Sequence, residues 1–287
     1  MLTAALGTFA ALVFGAADCL GGLASRRSHP VLVTAIVALT GLVMLLVLLP
    51  FVPGRWSPEA VLWGGLSGVA GCLAIGLLYA CLAIGPMSIL SPLTAVISAL
   101  VPLGFGFARG EQLGSLGLFG LGLALVAVVL VGFVPEKGAV RPTLSGVLMA
   151  IGSGAMIGAF LVLIDLAPDD SGLVPLLMNR GVNGLIMLVA TGVLVLGFRR
   201  TARTGPVRTL GTGGVRLAML GGVVDAVANS LLLLGVRIGD LSVIGVLTAL
   251  YPAGTILLAA TVLKERIAPV QWAGLALALL ATALLAL

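Results

Sequence analysis

The chain has 287 residues, 60% of them hydrophobic and only 9% charged, with a mean hydropathy of +1.28. That is more apolar surface than a soluble core can bury, so a soluble globular fold is excluded and lipid is the expected solvent. A net charge of +5 would suggest nucleic acid in a soluble protein, but 14 of the 15 basic residues fall in short segments between hydrophobic runs, where they act as topology signals, and no nucleic-acid partner is expected. The three cysteines, Cys19, Cys72 and Cys81, are odd in number and lie inside apolar runs, which leaves no disulfide framework and no zinc-ligand spacing.

A membrane-crossing helix needs about 20 apolar residues. In chain order the hydrophobic runs predict spans over Leu2 to Leu23, Pro30 to Leu49, Glu59 to Ile84, Met87 to Ala108 and Leu113 to Phe133. A second set follows over Leu144 to Leu166, Leu173 to Phe198, Val215 to Val236, Leu241 to Leu263 and Val270 to Leu287. The first run starts at Leu2 without a basic leader and is read as a mature span rather than a signal peptide. Gly85-Pro86 and Gly239-Asp240 are links so short that each joins a tight helical hairpin. Pro92, Pro102 and Pro252 sit inside the fourth and ninth spans, where each removes a backbone donor and marks a bending point.

The segment from Leu66 to Leu130 returns from Leu220 to Leu284 at one constant offset, 154 residues, which carries Glu111 onto Glu265. The same shift superposes Gly68 on Gly222, Ser88 on Ser242, Leu93-Thr94-Ala95 on Leu247-Thr248-Ala249 and Gly120 on Gly274. Composition alone does not align the Glu, Ser and Thr. The expected fold is therefore all-α, with ten transmembrane helices in two five-helix repeats at 1–134 and 144–287, joined by a linker at 135–143. An odd number of spans per repeat inverts the second copy. Glu111 and Glu265 are then expected near opposite membrane faces.

Polar residues inside such spans are costly and mark cavities or partners. Asp18 lies in the last third of the first span, just after Phe14-Gly15, where a small residue could open the bundle to a cavity; the competing reading is hydration near the membrane surface. Tyr79, with Trp63 in the same span and Tyr251, could stack on a substrate. Ser91, Thr94 and Ser98 form a polar stripe in the fourth span, and Thr248, Pro252 and Thr255 are near-symmetric counterparts in the ninth; small hydroxyls of this kind also bond back to their own helix. Asp165 ends the sixth span and reads as an exposed face. Arg180, flanked by Asn179 and Asn183, lies about two turns inside the seventh span, and Asp225 sits mid-span in the eighth with Asn229 one turn later. Asp225 is either a cavity carboxylate that binds a cation or proton, or a structural acid paired with Arg180 or Asn229.

The two units end in Arg109-Gly-Glu111 with Gly120 downstream, and in Leu263-Lys-Glu265-Arg266 with Gln271-Trp272-Ala-Gly274 downstream. In this order of features, in length and in span count the chain resembles the drug/metabolite transporter superfamily, EamA type. The resemblance implies a ten-helix basket with a central cavity between inverted halves, alternating access for a small-molecule substrate, and the plasma membrane of a prokaryote as location. It also implies cytoplasmic termini, whereas the loops after the odd-numbered spans carry 11 Lys and Arg against three in the others, which places both termini outside. Both readings put the two ends on one side.

Nothing in the sequence supports catalysis: it has no Walker loop, dinucleotide fingerprint or metal cluster, and its one histidine, His29, is in a loop. No cofactor is expected. The expected function is secondary active export of a small, partly apolar or cationic metabolite or drug by a monomer in the lipid bilayer, exchanged for protons at Asp225 or Asp18. Two alternatives are an anion exchanger for phosphorylated metabolites and a membrane scaffold or receptor.

Overall fold

The computed structural model describes residues 1–25, 27–84, 87–133, 142–200, 212–262, 264 and 266–286. Among these the secondary structure is helical throughout: α1 (Leu2–Ser25), α2 (Pro30–Leu48), α3 (Pro58–Ile84), α4 (Met87–Ala108), α5 (Ser115–Gly132), α6 (Leu144–Asp165), α7 (Val174–Arg200), α8 (Thr212–Ile238), α9 (Leu241–Thr248), α10 (Tyr251–Val262) and α11 (Pro269–Leu285), with a 3-10 turn at Asp169–Ser171. Nine of the described segments are long and apolar enough to cross a membrane, Leu241–Val262 being one of them, and Pro269–Leu285 is a shorter apolar helix. Large apolar side chains such as Phe119, Leu185 and Leu279 stand more than 60% exposed on the outer surface, as expected where the surrounding medium is hydrocarbon.

The ninth span departs from the single helix expected over Leu241 to Leu263. It breaks between Thr248 and Tyr251, because Pro252 has no N–H for the Thr248 carbonyl, and the Leu250 and Ala253 amides turn to acceptors three residues back, at Leu247 and Leu250. Pro92 and Pro102 are accommodated inside an unbroken α4. The link at 85–86, most of the linker (134–141) and Glu265 lie outside the described residues.

The larger contacts run between the sequence halves rather than within them. α1 packs on α8 and α10, α3 on α6 and α7, α2 on α7 and α8, α4 on α6 and α9, and α5 on α11. Lipid offers no hydrophobic drive for helix association, so van der Waals packing where small residues let backbones approach takes its place. A Cβ on Gly68 of α3 would stand 2.6 Å from the Asn179 carbonyl oxygen of α7, and one on Gly222 of α8 would stand 2.6 Å from the Val37 carbonyl oxygen of α2. Gly222→Val is therefore expected to force α2 and α8 apart at a cost of about 1–3 kcal/mol or more. A lowered melting temperature in detergent checks this, and an unchanged one would remove the crossing from the account.

Gly15 contradicts its expected role. It does not open the bundle: a Cβ there would collide with the backbone of Tyr251, Gly254 and Thr255, and its carbonyl accepts the Thr255 hydroxyl at 3.2 Å, so α1 and α10 are in backbone contact.

Candidate functional site

Four residues of α7 and α8 form a buried polar cluster inside the bundle. Arg180 of α7 makes an ion pair with Asp225 of α8, both side chains being less than one-fifth exposed. One turn on, the Asn229 side-chain amide donates to the Asp225 carbonyl at 2.8 Å and to its carboxylate at 3.3 Å. Asn183 is buried one turn from Arg180, and its Oδ1, the Asn229 Oδ1 and the Arg180 Nε have no hydrogen-bond partner among the described residues. Asn179 serves packing instead, donating to Ser67 of α3 at 2.8 Å. Gly41 of α2 lies against the pair: a Cβ there would be in ordinary van der Waals contact with the Arg180 side chain, 3.6 Å away.

Asp18 of α1 lies within electrostatic reach of both Asp225 and Tyr251. Unlike the pair beside it, Asp18 is exposed, and it has neither an ion pair nor a hydrogen bond among the described residues. An unpaired carboxylate seven residues from the end of an apolar helix is tolerable only where water reaches it. Among the described residues the local charge is two carboxylates against one guanidinium.

Next to Tyr251 a cavity is lined by Ser98, Ile157, Leu161, Gly245, Thr248, Ala249 and Tyr251, at the break between α9 and α10. The two threonines aligned by the 154-residue offset differ. The Thr94 hydroxyl bonds to the carbonyls of Leu90 at 3.0 Å and Ala150 at 3.2 Å, whereas the buried Thr248 hydroxyl has no partner among the described residues. Ser98 bonds back to Ala95 at 2.8 Å, and Ser91 is half-buried. Tyr79 belongs to α3, but its side chain is outside the described residues. Thus Asp18, Arg180, Asn183, Asp225, Asn229 and Tyr251 form one neighbourhood, Ser98 and Thr248 border the cavity, and Thr94 is spent on helix packing.

Sequence reasoning missed a second polar cluster at the end of the bundle that holds the N-terminus of α9. There Arg109 pairs with Asp165 at 2.6 Å, Arg55 with Asp170 at 3.9 Å, and Arg237 donates to the Ser171 hydroxyl at 3.0 Å and the Gly172 carbonyl at 2.8 Å. Asp165 is therefore not the exposed face expected; its side chain is 13% exposed because Arg109 reaches across from the first half. The Glu111 carboxylate accepts the Leu241 amide at 2.8 Å and the Ser242 amide at 3.1 Å. The signal that could have found it was the offset itself, which aligned two glutamates in loops.

Partial desolvation and, secondly, the negative charge of Glu111 push the Asp240 carboxyl above its usual range. The fold thus favours protonated Asp240. Its destabilising effect is absent below the ordinary carboxylate range, appears as pH rises through that range, and is complete above the raised value. Asp240→Asn should raise the melting temperature at neutral pH and do nothing under strongly acidic conditions; equal effects at both would refute the linkage.

None of the curated proteins matches the chain. A solved crystal structure is similar in fold, with a TM-score of 0.76 over 99% of this chain and 98% of its own at 18% sequence identity. The model of the EamA-like transporter family matches residues 144–287, half of the chain. With its apolar helices and this match, the chain belongs to the EamA-like transporter family and is an integral membrane transporter of the drug/metabolite type.

Proposed function

We propose that the protein is a secondary carrier that exports a small cationic, partly apolar molecule by alternating access, in exchange for protons, with Asp18 as the group that takes the cation or the proton. The observation that carries this is the excess carboxylate: Arg180 is matched by Asp225, and Asp18 stands beside them exposed and without a counter-ion among the described residues. Tyr251, within electrostatic reach of Asp18, would meet the less polar part of the substrate. An anion exchanger for phosphorylated compounds would need surplus cations here, and Arg180 is already paired.

The reading includes ten crossings in two inverted repeats, 1–134 and 144–287. Two features support it. The family match begins at 144, and the helix contacts keep their pattern when the halves are exchanged, with α3 on α7 and Gly68 mirrored by α8 on α2 and Gly222. Carrier sites of such folds lie at the repeat interface, where α1, α7 and α8 bring Asp18, Arg180 and Asp225 together. We place the carrier in a prokaryotic plasma membrane, as a monomer.

A thermal-shift screen of the detergent-purified protein against amines, amino acids, nucleosides and sugar phosphates tests the reading. Amines should stabilise the parent protein and not Asp18→Asn. Stabilisation by sugar phosphates would favour the anion exchanger, and no stabilisation by any class would favour a scaffold.

A further inference from the structure

The chemistry at the far end of the bundle is not used by the substrate site, yet it ties the sequence halves together. α4 ends in a left-handed glycine turn: Gly110 has φ +94°, its amide bonds to the Phe107 carbonyl at 3.0 Å, and the Glu111 amide bonds to the Gly106 carbonyl at 3.1 Å. This pair of bonds terminates the helix and aims the residue after the glycine back across its end. The Glu111 carboxylate thereby reaches the first two amides of α9, which no intrahelical carbonyl can satisfy. Asp240 occupies the N-cap position of α9 but makes no capping bond with its side chain. The cap comes instead from a residue 130 positions away in the other half.

The neighbouring half-to-half links are weaker by position. The Arg55 and Asp170 side chains are 80% and 61% exposed, where an ion pair contributes little. Arg109 is half exposed. Glu111 differs because it binds two backbone donors at once and sits where the amide dipoles of α9 favour an anion. Every residue of α9 is buried, so the clamp fastens a wholly enclosed half-helix whose other end borders the cavity beside Tyr251.

We propose that Glu111 is a positioning residue for transport: a latch that holds the α9 end of the bundle shut and releases the Leu241 and Ser242 amides when that end opens. The proposal rests on the transporter reading for its role in the cycle but not for its test. Ser242 is fully buried and its hydroxyl has no partner among the described residues, so Ser242→Cys loses no side-chain hydrogen bond seen there and reports access to the clamped amides. Two independent changes release the carboxylate. Glu111→Gln removes the charge, and Gly106→Ala keeps it but puts a methyl where the carboxylate folds back, a collision relieved by moving only the free end of the Glu111 side chain.

The readout is the rate at which a membrane-impermeant maleimide modifies the purified full-length Ser242→Cys protein, above the rate of the same protein with Ser242 intact. Both latch variants, made in the Ser242→Cys background, should raise it at least tenfold, and Arg55→Gln, which breaks only an exposed pair, should leave it within twofold. Unchanged rates in folded Glu111→Gln and Gly106→Ala proteins overturn the latch. So does loss of folded protein in both variants, because a contact that opens in each cycle cannot be what holds the fold together. Labelling needs no substrate: raised rates in a protein that no amine stabilises would sink the cation-carrier reading and leave the latch standing.

Discussion

Arg180→Met is expected to lower stability by about 3–5 kcal/mol, the effect of stripping one partner from a buried ion pair. The Asp225 carboxylate would keep the Asn229 amide at 3.3 Å but lose its counter-charge, with Asp18 already nearby as a second negative group. Arg180 and Asp225 are less than one-fifth exposed, so water cannot take over the lost interaction. Adding Asp225→Asn to Arg180→Met should recover most of the loss, since a well-packed neutral pair is often no less stable than a buried ionic one. Thermal melting of the two single variants and the double variant measures the coupling. Additive losses would show that the pair is not a unit, and Asp225 would return as a free coupling carboxylate.

Asp18→Asn is expected to have the opposite signature, a normal melting temperature with transport lost. Asp18 makes no ion pair among the described residues whose loss would unfold the bundle. If it holds the charged part of a substrate, a contact of about 1.5–3 kcal/mol disappears, which weakens binding roughly 10- to 150-fold. If it carries the exchanged proton, a pH gradient no longer drives transport, while equal exchange of substrate across the membrane continues. Proteoliposome uptake with and without the gradient separates the two. Full gradient-driven uptake by a folded Asp18→Asn protein would remove Asp18 from the mechanism.

Much of the fold was legible because membrane helices declare themselves by length and apolarity. The starts at Leu2, Pro30, Met87, Leu144 and Leu241 fall where the hydrophobic runs begin, since a bilayer admits only segments that satisfy their own backbone. The pairing of Asn229 with Asp225 was also legible, being one helical turn on one face. The choice between a free and a paired Asp225 was not. Arg180 and Asp225 are on different helices, and only the packing of α7 and α8 against α2, with α8 brought close at Gly222, brings guanidinium and carboxylate into contact.

Glu111 shows the same division more sharply. Sequence aligned it with Glu265 and put it in a loop, but nothing local says that a carboxylate leaving α4 will cap a helix that begins 130 residues later. Nor does Pro252 alone, in a chain where α4 absorbs two prolines unbroken, say that the ninth span will part at Thr248. Composition and periodicity determined the helices and their solvent, because those follow from each segment's own hydrogen bonds and apolar surface. Which polar groups are paired among the described residues, and which carboxylate caps α9, were decided by helix crossings between the halves, because these interactions join residues far apart in sequence and depend on distances that no segment sets by itself.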